Sequence, residues 1–106
     1  MFHYFKYENL VDDFYFRTTK YISINKGVNA FVYCKKAGFL VTGGVDKVLR
    51  VYNPVLLSKP IGKLVGHVFT ITDILCNEKD QQLISLSAER VFRVWDISNL
   101  KCLQVN

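Results

Sequence analysis

The chain has 106 residues, 50% of them hydrophobic, with 14 Lys plus Arg against 9 Asp plus Glu for a formal net charge of +5. That composition excludes a disordered tail and, with only 6 Gly and 2 Pro, a collagen-like or Pro-rich array; the length allows one compact domain of ordinary size at most. The cations are scattered, Lys35 and Lys36 being the only adjacent pair, so no basic stripe tracks a phosphate backbone.

Taken in chain order, the first 27 residues hold eight of the aromatics: Phe2, Tyr4, Phe5, Tyr7, Phe14, Tyr15, Phe16 and Tyr21. A stretch this aromatic calls for burial or for docking on a partner. Lys6, Glu8, Asp12, Asp13 and Arg17 interrupt each apolar run there, which argues against a signal peptide. Strands are expected at Asp13 to Arg17 and Thr19 to Ser23, then at Val28 to Cys34, Phe39 to Thr42, Val48 to Asn53 and Ile61 to Val65. A second series follows at Ile71 to Cys76, Gln82 to Ser87, Val91 to Asp96 and Lys101 to Val105. Helical spacing is absent from every window of ten or more residues, and no run reaches the roughly 18 apolar residues of a membrane span. The fold class is all-β.

The two series are copies of one unit. Displaced by 43 positions, residues 28–53 align without a gap on residues 71–96. Identities fall at Lys36/Lys79, Leu40/Leu83, Val48/Val91, Arg50/Arg93 and Val51/Val94, and nine conservative pairs join them, among them Thr42/Ser85, Asp46/Glu89 and Tyr52/Trp95. In the third strand of the second copy Phe92 and Val94 point one way and Arg93 and Trp95 the other, so apolar groups lie on both sides. A strand of that kind belongs in a sheet packed between two further sheets. Four antiparallel strands per 43 residues, stacked face to face, is the arithmetic of a propeller blade.

Gly66 and His67 precede the second copy and Trp95 and Asp96 close its third strand, with 27 residues between His67 and Trp95. This resembles the WD40 repeat family, whose units carry GH and WD dipeptides. The resemblance implies an all-β propeller and a buried hydrogen-bond network of His67, Ser85, Glu89 and Trp95. The chemistry suits it: an indole N–H needs an acceptor, a hydroxyl can accept it and donate to an imidazole, and the remaining ring N–H needs an acceptor, ideally a carboxylate. Glu89 stands where the family has Asp, one methylene longer. In the first copy the same positions are Thr42, Asp46 and Tyr52, with Ile24 in place of His, so the chain of bonds cannot form there and packing must serve. The organisation expected is an aromatic-rich lead-in at 1–18, itself a possible remnant of a preceding blade, a degenerate repeat at 19–62 and a complete one at 63–106. Two blades cannot close a ring of four to eight, so a fragment or truncated isoform of a larger propeller, or a piece that completes a ring with other blades or self-associates through its open sheet faces, is expected. A narrower resemblance is to long, divergent WD-repeat proteins of motile cilia.

Catalytic and metal-binding constellations are lacking. His3 and His67 are the only imidazoles, Gly43 and Gly44 form no phosphate-loop pattern, and Cys34, Cys76 and Cys102 have no ligand spacing, reading instead as small buried hydrophobes in a reducing compartment. The expectation is an intracellular, non-enzymatic interaction scaffold without cofactor, metal or membrane contact. Its candidate protein-contact residues are Val68, Phe69, Arg90 and Lys47, in the loops 25–27, 67–70, 45–47 and 88–90. A nucleic-acid-binding module using the net positive charge is the alternative, and the two differ in salt dependence.

Overall fold

The computed structural model describes residues 3–10, 17–24, 28–56 and 59–106. Among these residues are ten strands in three antiparallel sheets and no helix. A hairpin pairs β1 (His3–Leu10) with β2 (Arg17–Ile24). One four-stranded meander follows, β3 (Ala30–Cys34), β4 (Phe39–Gly43), β5 (Leu49–Tyr52) and β6 (Gly62–Leu64), in that order across the sheet. The second is β7 (Ile71–Asn77), β8 (Gln82–Ser87), β9 (Phe92–Asp96) and β10 (Cys102–Val105).

Strand positions follow the sequence pattern closely, with ends differing by a residue or two; β2, β4 and β7 run past the expected bounds, and β3, β5, β6, β9 and β10 stop short of them. β1 was not foreseen. The strand expected at Asp13 to Arg17 falls on residues 13–16, outside the described set, and Arg17 begins β2 instead. The hairpin nevertheless obeys the repeat: its pairs Lys6↔Tyr21, Tyr7↔Lys20 and Glu8↔Thr19 stand 43 residues before Leu49↔Leu64, Arg50↔Lys63 and Val51↔Gly62.

Turn conformations repeat even where residues do not. Gly38 and Gln81 both take positive φ (75° and 54°), as do Lys47 and Arg90 (71° and 68°), and each pair is again 43 apart. The left-handed conformation costs a non-glycine residue about 1–2 kcal/mol, so Gln81 and Arg90 are held there by the strands on either side.

The core lies between the two meanders. Val41, Leu49, Val51 and Leu64 of the first pack on Ile71, Ile74, Leu83, Trp95 and Ile97 of the second, with Cys34 among them. Alternation along each strand selects these residues, since β4 turns Val41 and β8 turns Leu83 and Ser85 to the shared interface. Gly43 is required by the close approach: a Cβ there would come within 2.8 Å of Ile71 Cγ2. Backbone bonds also cross the interface, Ile71 N–H donating to Gly44 O at 3.0 Å. The face of the first sheet turned away from the second is covered too, for Leu40, Thr42 and Tyr52 are buried. The outer face of the second sheet is not: Leu75 is 65% exposed and Phe92 45%. Their ladder, Leu75↔Ile84↔Val94, is the counterpart of Val32↔Val41↔Val51 in the first sheet, where Val51 is 0% exposed beneath the second.

Candidate functional site

Ser85 sits mid-strand in β8 with its side chain on the buried face, opposite Ile74 on one neighbour and Arg93 on the other. Trp95, at the next-to-last position of β9, donates its indole N–H to Ser85 Oγ at 2.9 Å. His67, in the loop between β6 and β7, places Nε2 2.5 Å from the same oxygen. An indole can only donate, so the Ser85 oxygen accepts from Trp95 and its single hydrogen is free for His67 Nε2. That bond suits the neutral tautomer that carries its proton on Nδ1. Burial and the neighbouring Arg93 guanidinium both lower the His67 pKa, which favours the neutral form.

The fourth expected member is elsewhere. Glu89 is exposed in the turn between β8 and β9, with Oε1 3.5 Å from Ser87 Oγ, and His67 Nδ1 is buried without a partner among the described residues. The Glu89 carboxylate is engaged by Ser87 and not by the ring, so the network is a three-residue chain rather than four. Two residues act here that sequence reasoning passed over. Arg93 lies over the Trp95 ring, its guanidinium carbon 5.9 Å from the ring centroid. Gly66 makes room for it, since a Cβ at that position would fall 2.7 Å from the guanidinium carbon. The signal was present as the Arg50/Arg93 identity. Asp96 ends the strand and accepts from Ser98 N–H at 2.7 Å and Ser98 Oγ–H at 2.5 Å, bonds that hold its carboxyl below the usual range and shape the turn into β10.

No protein-family profile matches the chain. Over 81 residues it is 32% identical to a WD repeat-containing protein on Y chromosome of Anopheles gambiae, covering 76% of this chain and 8% of that protein. The namesake of Drosophila grimshawi is 30% identical over 78 residues, 74% of this chain and 7% of its own length. The crystal structure of RRP9 WD40 repeats superposes with a TM-score of 0.67 over 74% of this chain and 23% of that one, at 17% identity. The two meanders are WD40 repeats. The chain spans less than a tenth of the length of the Anopheles and Drosophila relatives.

In the first WD40 repeat the equivalent residues do not form a chain of hydrogen bonds among the described residues. Thr42 and Tyr52 are buried, and burial raises the Tyr52 pKa. Asp46 instead pairs with Arg50, one turn and four residues away, and accepts from Val48 N–H at 3.4 Å. The repeat identity of Arg50 and Arg93 therefore hides two different environments, one on a carboxylate and one on an indole.

The candidate contact residues gather at one end of the two WD40 repeats. Meander topology puts the loop before β7 and the turns before β5 and β9 at that end, and Ala88 N–H donates to Thr70 O at 2.8 Å to tie two of them together. Val68, Phe69, Lys47 and Arg90 are all exposed. Residues 25–27 lie outside the described set. At the opposite end a cleft of about 260 Å³ opens between the repeats, lined by Lys36, Phe39, Glu78, Gln81 and Ile97. Of the cysteines, Cys34 is buried, Cys76 half-buried and Cys102 exposed, so the expectation of burial fails for Cys102, which lies on the edge strand β10. No group of three or more His, Cys, Asp or Glu suited to a metal ion occurs among the described residues.

Proposed function

We propose that the chain acts as a non-catalytic protein-interaction scaffold, without cofactor, inside the cell, and that its contact surface is the end carrying Val68 and Phe69. One observation carries this reading. His67 is 7% exposed and held by Ser85, while the next two residues, Val68 and Phe69, are 65% and 48% exposed. A buried anchor thus holds an apolar pair out to solvent, with the exposed cations Lys47 and Arg90 at the same end. Apolar side chains with a charged margin, in which Glu89 stands beside Arg90, suit a protein segment that offers an apolar anchor among polar residues.

The test is a crosslinking comparison in cells expressing the chain. Phe69→Ala and Val68→Ser should each lower the yield of crosslinked partner about tenfold, a loss of about 1.4 kcal/mol, with the melting curve unchanged. Equal yields from variants and wild type would remove the reading. Binding to nucleic acid that collapses steeply with salt would favour the charge-driven alternative instead.

The second part of the proposal is that these repeats belong to a larger propeller. The Leu75↔Ile84↔Val94 ladder, with Leu75 exposed and Ile84 and Val94 only half-buried, supports it, because its counterpart in the first repeat is covered by a blade. The β1–β2 register supports reading the lead-in as the outer two strands of a preceding blade, as does the burial of Leu40, Thr42 and Tyr52 on that side. Sedimentation of isolated 1–106 is expected to show self-association through the open face. A monomer with a cooperative melt would contradict this part without touching the first.

A further inference from the structure

The innermost strands of the two repeats, β3 and β7, lie side by side at a fixed offset. Asn29 Nδ2 donates to Ile71 O at 3.4 Å, and Lys36 N–H donates to Glu78 Oε1 at 2.9 Å; both links join residues 42 apart. The same offset sets Cys34, between the two links on β3, against Cys76 on β7. Their faces agree as well. Cys34 lies in the core between the sheets, and Cys76 pairs with Leu83, whose side chain is buried in the same core. Both side chains belong to this core, Cys34 within it and Cys76 packed against it, and each thiol perturbs the other's ionisation. Two thiols 42 residues apart in sequence thus meet across the joint between neighbouring blades.

We propose that Cys34 and Cys76 are a disulfide site, a covalent clasp between the two repeats that a small-molecule disulfide such as oxidised glutathione can close. The half-buried Cys76 reacts first: its thiolate attacks one sulfur of the oxidant, the S–S bond of the oxidant breaks, and one glutathione thiolate leaves and takes up a proton. Cys34 then attacks Cys76 Sγ, the mixed disulfide breaks, and the second glutathione leaves as a thiol. The protein has lost two hydrogens and the oxidant has gained them. Burial, together with the neighbouring thiol, pushes the Cys34 thiol well up, and burial raises that of Cys76, so closure is slow compared with that of a solvated pair. The exposed Cys102, with Sγ 3.6 Å from Arg93 Nη1, stands outside this pair.

The experiment uses the intact chain carrying Cys102→Ser, to prevent disulfides between molecules, incubated with oxidised glutathione. Peptide mapping by mass spectrometry should find the Cys34 and Cys76 peptides linked, free thiols should fall from two to none, and dithiothreitol should restore both. Closing this loop should raise the melting midpoint by about 5 °C or more. Cys34→Ser should stop the reaction at a glutathione adduct on Cys76. Persistence of two free thiols, or glutathione adducts on both cysteines without a link, would overturn the proposal, and the mapping on the Cys102→Ser chain decides it even if the Cys34→Ser variant does not fold.

Discussion

Replacing Ser85 by alanine removes one oxygen and strands two ring nitrogens. Ser85 is 0% exposed, and its Oγ takes the Trp95 indole N–H at 2.9 Å while lying 2.5 Å from His67 Nε2. Each buried polar group left without a partner costs about 1–3 kcal/mol, so Ser85→Ala should cost about 2–5 kcal/mol, with almost no cavity to add. Ser87 provides the control. It too is buried, on the same face of β8, but its hydroxyl makes only long bonds, 3.4 Å to Val91 O and 3.5 Å to Glu89 Oε1. Ser87→Ala should therefore cost under about 1 kcal/mol. Urea unfolding followed by far-ultraviolet circular dichroism separates the two: with a slope of about 1–3 kcal/mol per molar urea, the Ser85→Ala midpoint falls by about 1 M or more. The double variant Ser85→Ala/Trp95→Phe should cost less than the sum of the single ones, because the indole N–H that Ser85→Ala orphans is gone. A Ser85→Ala loss no greater than that of Ser87→Ala, or strict additivity in the double variant, would refute the shared-acceptor arrangement.

Trp95→Ala, which empties the core between the repeats, should cost about 3–5 kcal/mol in the same assay; a change under about 1 kcal/mol would mean the indole is not packed there. The folded state holds the His67 pKa below its ordinary 6.5, so folding favours the neutral ring. That contribution is complete above about pH 6.5 and is lost as pH falls through the folded value, so the urea midpoint should drop between about pH 7 and pH 5, and His67→Gln should flatten that part of the profile. Gly38→Ala should destabilise by about 1–2 kcal/mol through its φ of 75° alone, because the new Cβ meets nothing within 4 Å. The converse Gln81→Gly, at φ 54°, should leave the melting midpoint equal or higher, and a lower one would argue against a strained turn.

How far the site was legible in the chain depends on the distance over which each residue acts. The strands, their spacing and the 43-residue repeat follow from local alternation and turn residues, which any single blade must satisfy within its own sequence. His67, Ser85 and Trp95 were legible because their hydrogen-bonding types recur at fixed positions within one unit. Glu89 was misplaced because one methylene alters reach without altering chemical type, and reach is settled only once the turn has its conformation. Asp46 found Arg50 rather than a network, since the first repeat offers it no imidazole.

The sequence alone determined the all-β class, the tandem unit and the identity of the groups that could share a buried proton, because these rest on period-2 alternation and on donor and acceptor chemistry. Tertiary structure decided what stands beside what between units: Gly43 against Ile71, Arg93 over Trp95 and Cys34 against Cys76. Those contacts join residues from separate strands or separate repeats, and their geometry depends on how two twisted sheets settle on one another, which no local pattern encodes.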